Sequence, residues 1–185
     1  MPRCKNCKEK FEPIKFNQKF CFKPECVREW IDYGKKQLAK EDRKRIKDLK
    51  LKLKTARDYT KDAQKVFNTF IRLRDEGKSC ISCNQFLNSG NTKFDAGHYY
   101  SQGGHSSVRF DENNCFGQCV ECNRYLHGNL IKYGDRLKKL IGEEKYQELK
   151  SKAYDNRKWT IDELQQITTT YKNKIKELKI RKIDN

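Results

Sequence analysis

Apolar positions recur at helical spacing in three stretches of this 185-residue chain, and the segment between the first two has no such period. Ala63, Val66, Phe67, Phe70 and Ile71 fall three and four residues apart, which places them on one face of a helix. Thr60 is positioned to cap that helix and Gly77 to stop it. Residues 130–153 read as one helix, with Leu137, Leu140, Ile141, Tyr146 and Leu149 apolar. Trp159-Thr160-Ile161-Asp162-Glu163 then holds a capping box, with Thr160 as the cap and Glu163 reaching back to it. The helix it opens keeps Ile161, Leu164, Ile167, Tyr171, Ile175 and Leu178 in a stripe and runs to Arg181. Residues 27–61 differ: they are charged and almost free of breakers, and Leu38, Ile46, Leu49, Leu53 and Ala56 leave only a sparse stripe. A helix there has little core of its own. Three roles stay open for it: a solvated helix, a helix on phosphates, or a dimer interface. Turn formers gather in residues 78–129, and no internal repeat is evident.

Composition explains how so thin a pattern is held together. Hydrophobic residues make up 35% of the chain and charged residues 36%, which is little for one large core. Units short of apolar area are usually stapled by metals or disulfides. Nine cysteines are present, and an odd number argues against a complete set of bridges. The chain opens Met1-Pro2-Arg3-Cys4 and continues polar, without a secretory leader, and no run reaches the length of a membrane span. The expectation is an intracellular protein that is neither secreted nor membrane-bound, where clustered cysteines serve as metal ligands. A formal net charge of +17 favours a polyanionic partner, nucleic acid first. Residues 35–61 alone carry 12 basic and 4 acidic side chains. Lys44, Arg45, Lys50 and Lys54 in that stretch are candidate DNA contacts, as are Arg109 and Arg124 further on.

Two cysteine quartets stand out. Cys4-x-x-Cys7 and Cys21-x-x-x-x-Cys26 are separated by a 13-residue loop, with Phe11, Phe16, Phe20 and Phe22 available as a miniature core around a structural zinc. Cys80-x-x-Cys83 and Cys119-x-x-Cys122 form the second and stronger zinc pattern, because each Cys-x-x-Cys turn delivers two thiolates to one ion. Cys115 is left over and reads as a small buried residue.

The loop inside the second quartet is unlike that of a plain zinc ribbon. It contains Asp95-Ala96-Gly97-His98-Tyr99, Gly103-Gly104 beside His105, and Asn113-Asn114, and Asn123-Arg124-Tyr125-Leu126-His127 follows the last cysteine. This arrangement resembles the His-Asn-His nucleases, whose ββα-metal motif sets two strands and a helix around a divalent ion. The resemblance implies His98 as general base, Asn114 as the tether that orients it, and Asn123 as a ligand after the last cysteine, as in endonuclease VII-like junction resolvases. Asn113 is the nearest competitor of Asn114. The residue chemistry agrees: a neutral His is a suitable base near pH 7, and a hard ion held by oxygen ligands stabilises a scissile phosphate. Asp95 and Asn123 offer such oxygens, and His127 falls four residues after Asn123 as a third candidate ligand. The ion implied is Mg2+ or Mn2+, separate from two structural Zn2+. In the commoner pattern the acid directly precedes the His. Here Ala96 and Gly97 intervene, and strand alternation separates Asp95 from His98 unless a bulge at Gly97 re-aims one of them.

Beyond this core the chain resembles the NinG family of phage recombination proteins. The match rests on Cys4-x-x-Cys7 with Phe20-Cys21, on Phe67-x-x-Phe70-Ile71-Arg72-Leu73-Arg74-Asp75, and on Cys80-Ile81-Ser82-Cys83. Asp95-Ala96-Gly97-His98-Tyr99, Val108-Arg109-Phe110-Asp111-Glu112, Asn114-Cys115, Gln118-Cys119, Cys122-Asn123 and Gly128-Asn129 continue it. The resemblance implies a structure-specific endonuclease acting on branched recombination intermediates, D-loops and Holliday junctions, in the cytoplasm of a bacterial host cell. Symmetric cutting favours a homodimer, with the basic helix as one candidate interface. A non-catalytic zinc protein that binds nucleic acid, and a nuclease without branch preference, stay open as alternatives. The fold expected is α+β and mostly helical. It comprises a zinc-binding unit over residues 1–30, a basic helical linker over 31–61, and a zinc-stapled nuclease domain with supporting C-terminal helices over 62–185.

Overall fold

A cysteine quartet sits in each of two units. The computed structural model describes residues 1–88, 90 and 93–183, and the chain divides into Met1–Lys54 and Thr55–Asn185. The architecture is α+β and mostly helical, with one two-stranded sheet.

In the first unit Arg3 pairs with Lys10, and the Cys4 N–H donates to the Glu9 carbonyl at 2.9 Å, which closes the turn around Cys4 and Cys7. Helix α1 (Pro24–Lys52) follows. Pro24 occupies the first turn, where its missing N–H costs nothing, and Glu25 complements the dipole there. Cys26 lies on this helix, so α1 is joined to the cysteine quartet within its first turn. Cys4, Phe11, Phe20, Cys21 and Cys26 are buried together with Tyr33 against them. The four-Phe core expected here is half realised: Phe16 and Phe22 are exposed, because the small cluster is already filled by thiols and two rings. Further along α1, Leu38, Ile46 and Leu49 are exposed.

In the second unit α2 (Ala56–Asp75) is capped by Thr55, not by Thr60. The Thr55 N–H donates to the Asp58 carboxylate at 3.0 Å while the Asp58 N–H donates to the Thr55 hydroxyl. That reciprocal pair satisfies two end donors at once. Thr60 lies inside the helix and donates to the Ala56 carbonyl. Boundaries drawn at residues 30 and 61 therefore fall within α1 and α2. Strand β1 (Phe94–His98) pairs antiparallel with β2 (Cys115–Cys119), Phe94 opposite Cys119 and His98 opposite Cys115. A short π-helical turn, Glu121–Tyr125, leads to α3 (Leu130–Ile141), α4 (Glu143–Ala153) and α5 (Ile161–Ile183). The single helix expected over 130–153 is two, because Gly142 at φ 82° ends the first. The Thr160–Glu163 box forms as expected.

Helix α2 carries the sheet and α5. Its Phe67, Phe70 and Ile71 are buried with Leu164 and Tyr171 of α5 and with Ala96 and Cys115 of the strands. Phe116, on the opposite sheet face, packs on a second cluster containing Val108, Tyr133, Leu137 and Leu149. A buried carboxylate ties the end of α2 to β2. Asp75 accepts the Gly117 N–H at 2.9 Å and Arg74 at 2.7 Å, and Arg74 also donates to the Cys115 carbonyl at 2.8 Å. Burial opposes the Asp75 charge, yet Arg74 outweighs it and holds the carboxyl below the usual carboxylate range.

Gly117 is needed for this approach: a Cβ there would stand 2.7 Å from Leu87 Cδ1 and 3.0 Å from Asp75 Cβ. Gly117→Ala is expected to destabilise the second unit by about 1–3 kcal/mol through overpacking, read as a lower urea midpoint.

Candidate metal centres and active site

Each cysteine quartet brings four sulfurs within 4.8 Å of one another, and among the described residues no other group of three or more His, Cys, Asp or Glu does so. Cys7 and Cys21 sulfurs lie 3.7 Å apart in the first, and Cys83 and Cys119 sulfurs 3.6 Å apart in the second. A zinc tetrahedron with Zn–S of about 2.3 Å has an S–S edge of about 3.8 Å. N–H groups point at the sulfurs: Cys21 N–H at Cys4, and the N–H groups of Ser82 and Cys119 at Cys80. Burial raises the Cys4 thiol, but N–H donors from Cys21, Cys7 and Asn6 overcome it and bring it down to about 6. Cys4, Cys7, Cys21 and Cys26 can thus hold one metal ion, and Cys80, Cys83, Cys119 and Cys122 a second, zinc fitting both. Cys115 is apart and fully buried, its thiol pushed up by that burial, as its position suggested.

His98 ends β1 and packs against the Phe67 ring at 5.9 Å. Its Nε2–H donates to the Arg109 carbonyl at 3.1 Å, which leaves the Nδ1 lone pair to accept the Gln102 amide at 3.2 Å. The Cys115 sulfur stands 3.4 Å from the same nitrogen. Burial pushes the imidazole down to about 4, so it is neutral near pH 7.

Asn114 is fully buried and acts as a latch. Its amide nitrogen donates to the Tyr100 and Val108 carbonyls at 3.0 Å each, and its oxygen accepts the Tyr100 N–H at 2.8 Å. It closes the loop that leaves His98 without touching the imidazole. Its competitor Asn113 faces a cavity with Arg74 and Lys139.

Asp95 lies on the face opposite His98, since the ladder runs from Phe94 to His98 without a bulge. Positions one and three before His98 share that face, so the longer spacing keeps the side that the commoner pattern uses. The Asp95 carboxylate takes a two-pronged ion pair from Arg124, at 2.7 and 2.9 Å, and a hydrogen bond from Asn123 at 3.0 Å. Arg124 is the main cause holding the Asp95 carboxyl below its ordinary range. His127 does not share a helical face with Asn123: it is exposed beyond the turn, with left-handed backbone at φ 48°. His105 donates to the Ala153 carbonyl at 2.8 Å and so belongs to the packing on α4.

Of the basic residues singled out, Lys44, Arg45 and Lys50 are exposed on α1 and Lys54, just past it, is partly buried. Arg109 and Arg124 are committed within the protein, Arg109 to the Gln102 carbonyl at 2.7 Å and Arg124 to Asp95. Three residues were not anticipated. Gln102 meets His98, the Tyr133 hydroxyl donates to the Gly97 carbonyl and accepts from the Phe116 N–H, and the Gln118 amide donates to Ser82. Each contact is made by loop or tertiary geometry, which carries no local pattern.

The profile described as "Bacteriophage Lambda NinG protein" matches residues 1–181 of this chain. The chain belongs to the NinG family. Protein ninG of Escherichia phage lambda is 36% identical over 194 residues, covering 96% of this chain and 93% of that one. Protein ninG of Salmonella phage P22 is also 36% identical, with the same coverage, and that of Escherichia phage 933W is 34% identical over 191 residues. No solved structure matches. Both cysteine quartets, His98, Asn114 and Asn123 fall within the NinG-matched span. Among the described residues no helix is long and apolar enough to cross a membrane.

Two measurements check this site. Metal analysis of the purified NinG-family chain is expected to find two zinc ions, falling to one in Cys122→Ser. The depressed His98 pKa also has a sign. Between about 6.5 and about 4 the unfolded chain binds a proton that folded His98 refuses, so stability falls as pH drops through that window. The wild type is expected to lose up to about 3 kcal/mol relative to His98→Gln across it, read by parallel thermal melts.

Proposed function

We propose that this chain is a metal-dependent endonuclease that hydrolyses phosphodiester bonds in branched DNA recombination intermediates, using a ββα-metal core of the His-Asn-His type. One observation carries the reading: His98 is a neutral imidazole whose Nε2–H is committed to a backbone carbonyl, leaving Nδ1 as the proton acceptor. A general base needs a free ring nitrogen in the neutral form, and admitting water to the Nδ1 side would relieve the burial and raise its basicity toward the operating pH. The Asn114 latch and the strand pair fix where the imidazole points. The turn carrying Asn123 supplies the helical part of the motif.

The Asp95 carboxylate suits a hard cation, in keeping with its attraction of the Arg124 guanidinium. The Asn123 amide, which here turns its nitrogen to Asp95, would offer its oxygen to that cation once rotated. Mg2+ or Mn2+ held by Asp95 and Asn123 would polarise the phosphate and stabilise the leaving oxygen. Arg124, released from Asp95, is then available to a DNA phosphate. The +17 charge and the exposed Lys44, Arg45 and Lys50 provide sequence-independent attraction to the backbone, with branch shape left to give selectivity. A second reading, binding without cleavage, is favoured by the Gln102 amide and Cys115 thiol that already occupy the Nδ1 side of His98. Under the nuclease reading a water takes the place of Gln102.

The test is cleavage of labelled four-way junctions, D-loops and linear duplex at one salt concentration, with and without Mg2+. Mg2+-dependent cutting of the branched substrates is expected, with His98→Ala slower by about 100-fold or more while binding is retained. A His98→Ala protein that cuts at the wild-type rate would sink the mechanism. Equal cutting of linear duplex would remove the branch preference, and binding without cutting by the wild type would establish the second reading.

A further inference from the structure

The first unit holds an aromatic ring out in water on a loop built to keep it there. Phe16 is 96% exposed. Its loop is closed by Gln18, whose side-chain oxygen accepts the Ile14 N–H at 2.9 Å and whose amide donates to the Phe20 carbonyl at 2.7 Å. The Gln18 N–H donates to the Lys15 carbonyl at 3.1 Å, and Asn17 takes the left-handed turn at φ 60°. These bonds use up the loop's ordering on a conformation that leaves a large apolar side chain unburied. Hydrophobic burial alone would favour the opposite.

Charge lining the groove beside the ring is of one sign. A cavity of about 440 Å³ beside Phe16 is lined by Arg3, Lys5, Lys15 and Lys19 and by no carboxylate. Lys5 and Lys19 also stand over the Tyr33 ring at 5.4 and 5.3 Å. Of the two acids in residues 1–20, Glu9 is paired with Lys23 at 2.6 Å, and Glu12 is exposed and outside the lining.

We infer that this face docks an unpaired nucleic-acid strand, with a base stacked on Phe16 and backbone phosphates at Arg3, Lys5, Lys15 and Lys19. Aromatic platforms flanked by cations bind single strands because every unpaired base offers a flat face and every nucleotide a negative charge. A paired duplex has no base face to give. A protein partner would be met by a contiguous apolar patch with a polar rim, whereas the groove here is lined by four cations and, on its apolar side, by Phe16 and two prolines. The inference rests on the nucleic-acid reading above but concerns a surface of the other unit, and it requires no chemistry there. Branched intermediates carry unpaired stretches at their junctions, which is where such a surface would be used.

The experiment measures binding of the full chain to a fluorescent single-stranded oligonucleotide and to a duplex of the same length, without Mg2+ so that no cutting occurs. Phe16→Ala is expected to weaken single-strand binding about tenfold and leave duplex binding within twofold, with Phe16→Trp restoring it. Lys15→Gln with Lys19→Gln is expected to lower the salt slope for the single strand by about 1.4, two contacts at about 0.7 each. Unchanged melting of each variant confirms an intact fold, as exposed positions imply. If the chain binds DNA but Phe16→Ala binds the single strand as the wild type does, this inference is wrong while the nuclease reading stands. If the wild type binds no DNA, both fall. A change in oligomeric state with Phe16→Ala, and no change in DNA binding, would assign the face to a second copy of the chain instead.

Discussion

Four thiolates decide whether the second unit has a site at all. Two five-residue strands make too few pairs to stand alone in water, so the β1–β2 ribbon exists only because it is held from outside. Cys119 is the last residue of β2 and faces Phe94, the first of β1, so the quartet grips one end of the ribbon. His98 and Cys115 face each other at the other end, about 13 Å away at about 3.3 Å per residue. Structure and proposed chemistry are thereby separated along one strand. The ion that the thiolates can hold is not the group proposed to react.

The far end is held by three different means, each satisfying polar groups that the short ladder leaves over. Asn114 closes the loop between Tyr100 and Val108, Tyr133 bridges Gly97 and Phe116, and Asp75 takes the Gly117 N–H. Phe67 shows how closely support and site are merged. It packs edge-on against Tyr171 of α5 at 4.9 Å and walls the His98 ring at 5.9 Å. The packing that holds α5 on α2 therefore also removes water from the imidazole and keeps it neutral.

What could be read from the sequence follows from the range of the interaction involved. Thiolate spacing is local within each Cys-x-x-Cys turn, and the apolar stripe of α2 is set by helical period, so both were visible. The Thr160 box is legible because its two partners lie three residues apart; Thr55 and Asp58 have the same spacing, but Thr60 lies nearer the apolar stripe and competes with them. Gly142 does not announce a break in the sequence, because an isolated glycine inside a helical pattern is tolerated. Phe16 was placed in the core by its type, and only the filled cluster of Cys4, Phe11, Phe20, Cys21 and Cys26 excludes it. Gln102 at Nδ1 of His98 had no signature at all, since its position depends on a loop closed by Asn114 twelve residues later. Partners three residues apart are legible from sequence, but the tertiary partners of His98, Asn114 and Asp95 are not.

The Asp-Ala-Gly-His spacing finds its reason in the same ribbon. Gly97 lies beside Gln118, and a Cβ at position 97 would come within 3.0 Å of the Gln118 Cβ and closer still to its side-chain oxygen. Gln118 has no room to yield, because its amide joins Ser82 of the first cysteine turn to the Gly128 carbonyl beyond the second. A carboxylate directly before His98 would therefore collide with the side chain that links the two halves of the staple. Moving the acid back by two residues keeps it on the same face and brings it beside Asn123 and Arg124. The departure from the commoner pattern is then a consequence of how the cysteine turns are locked together.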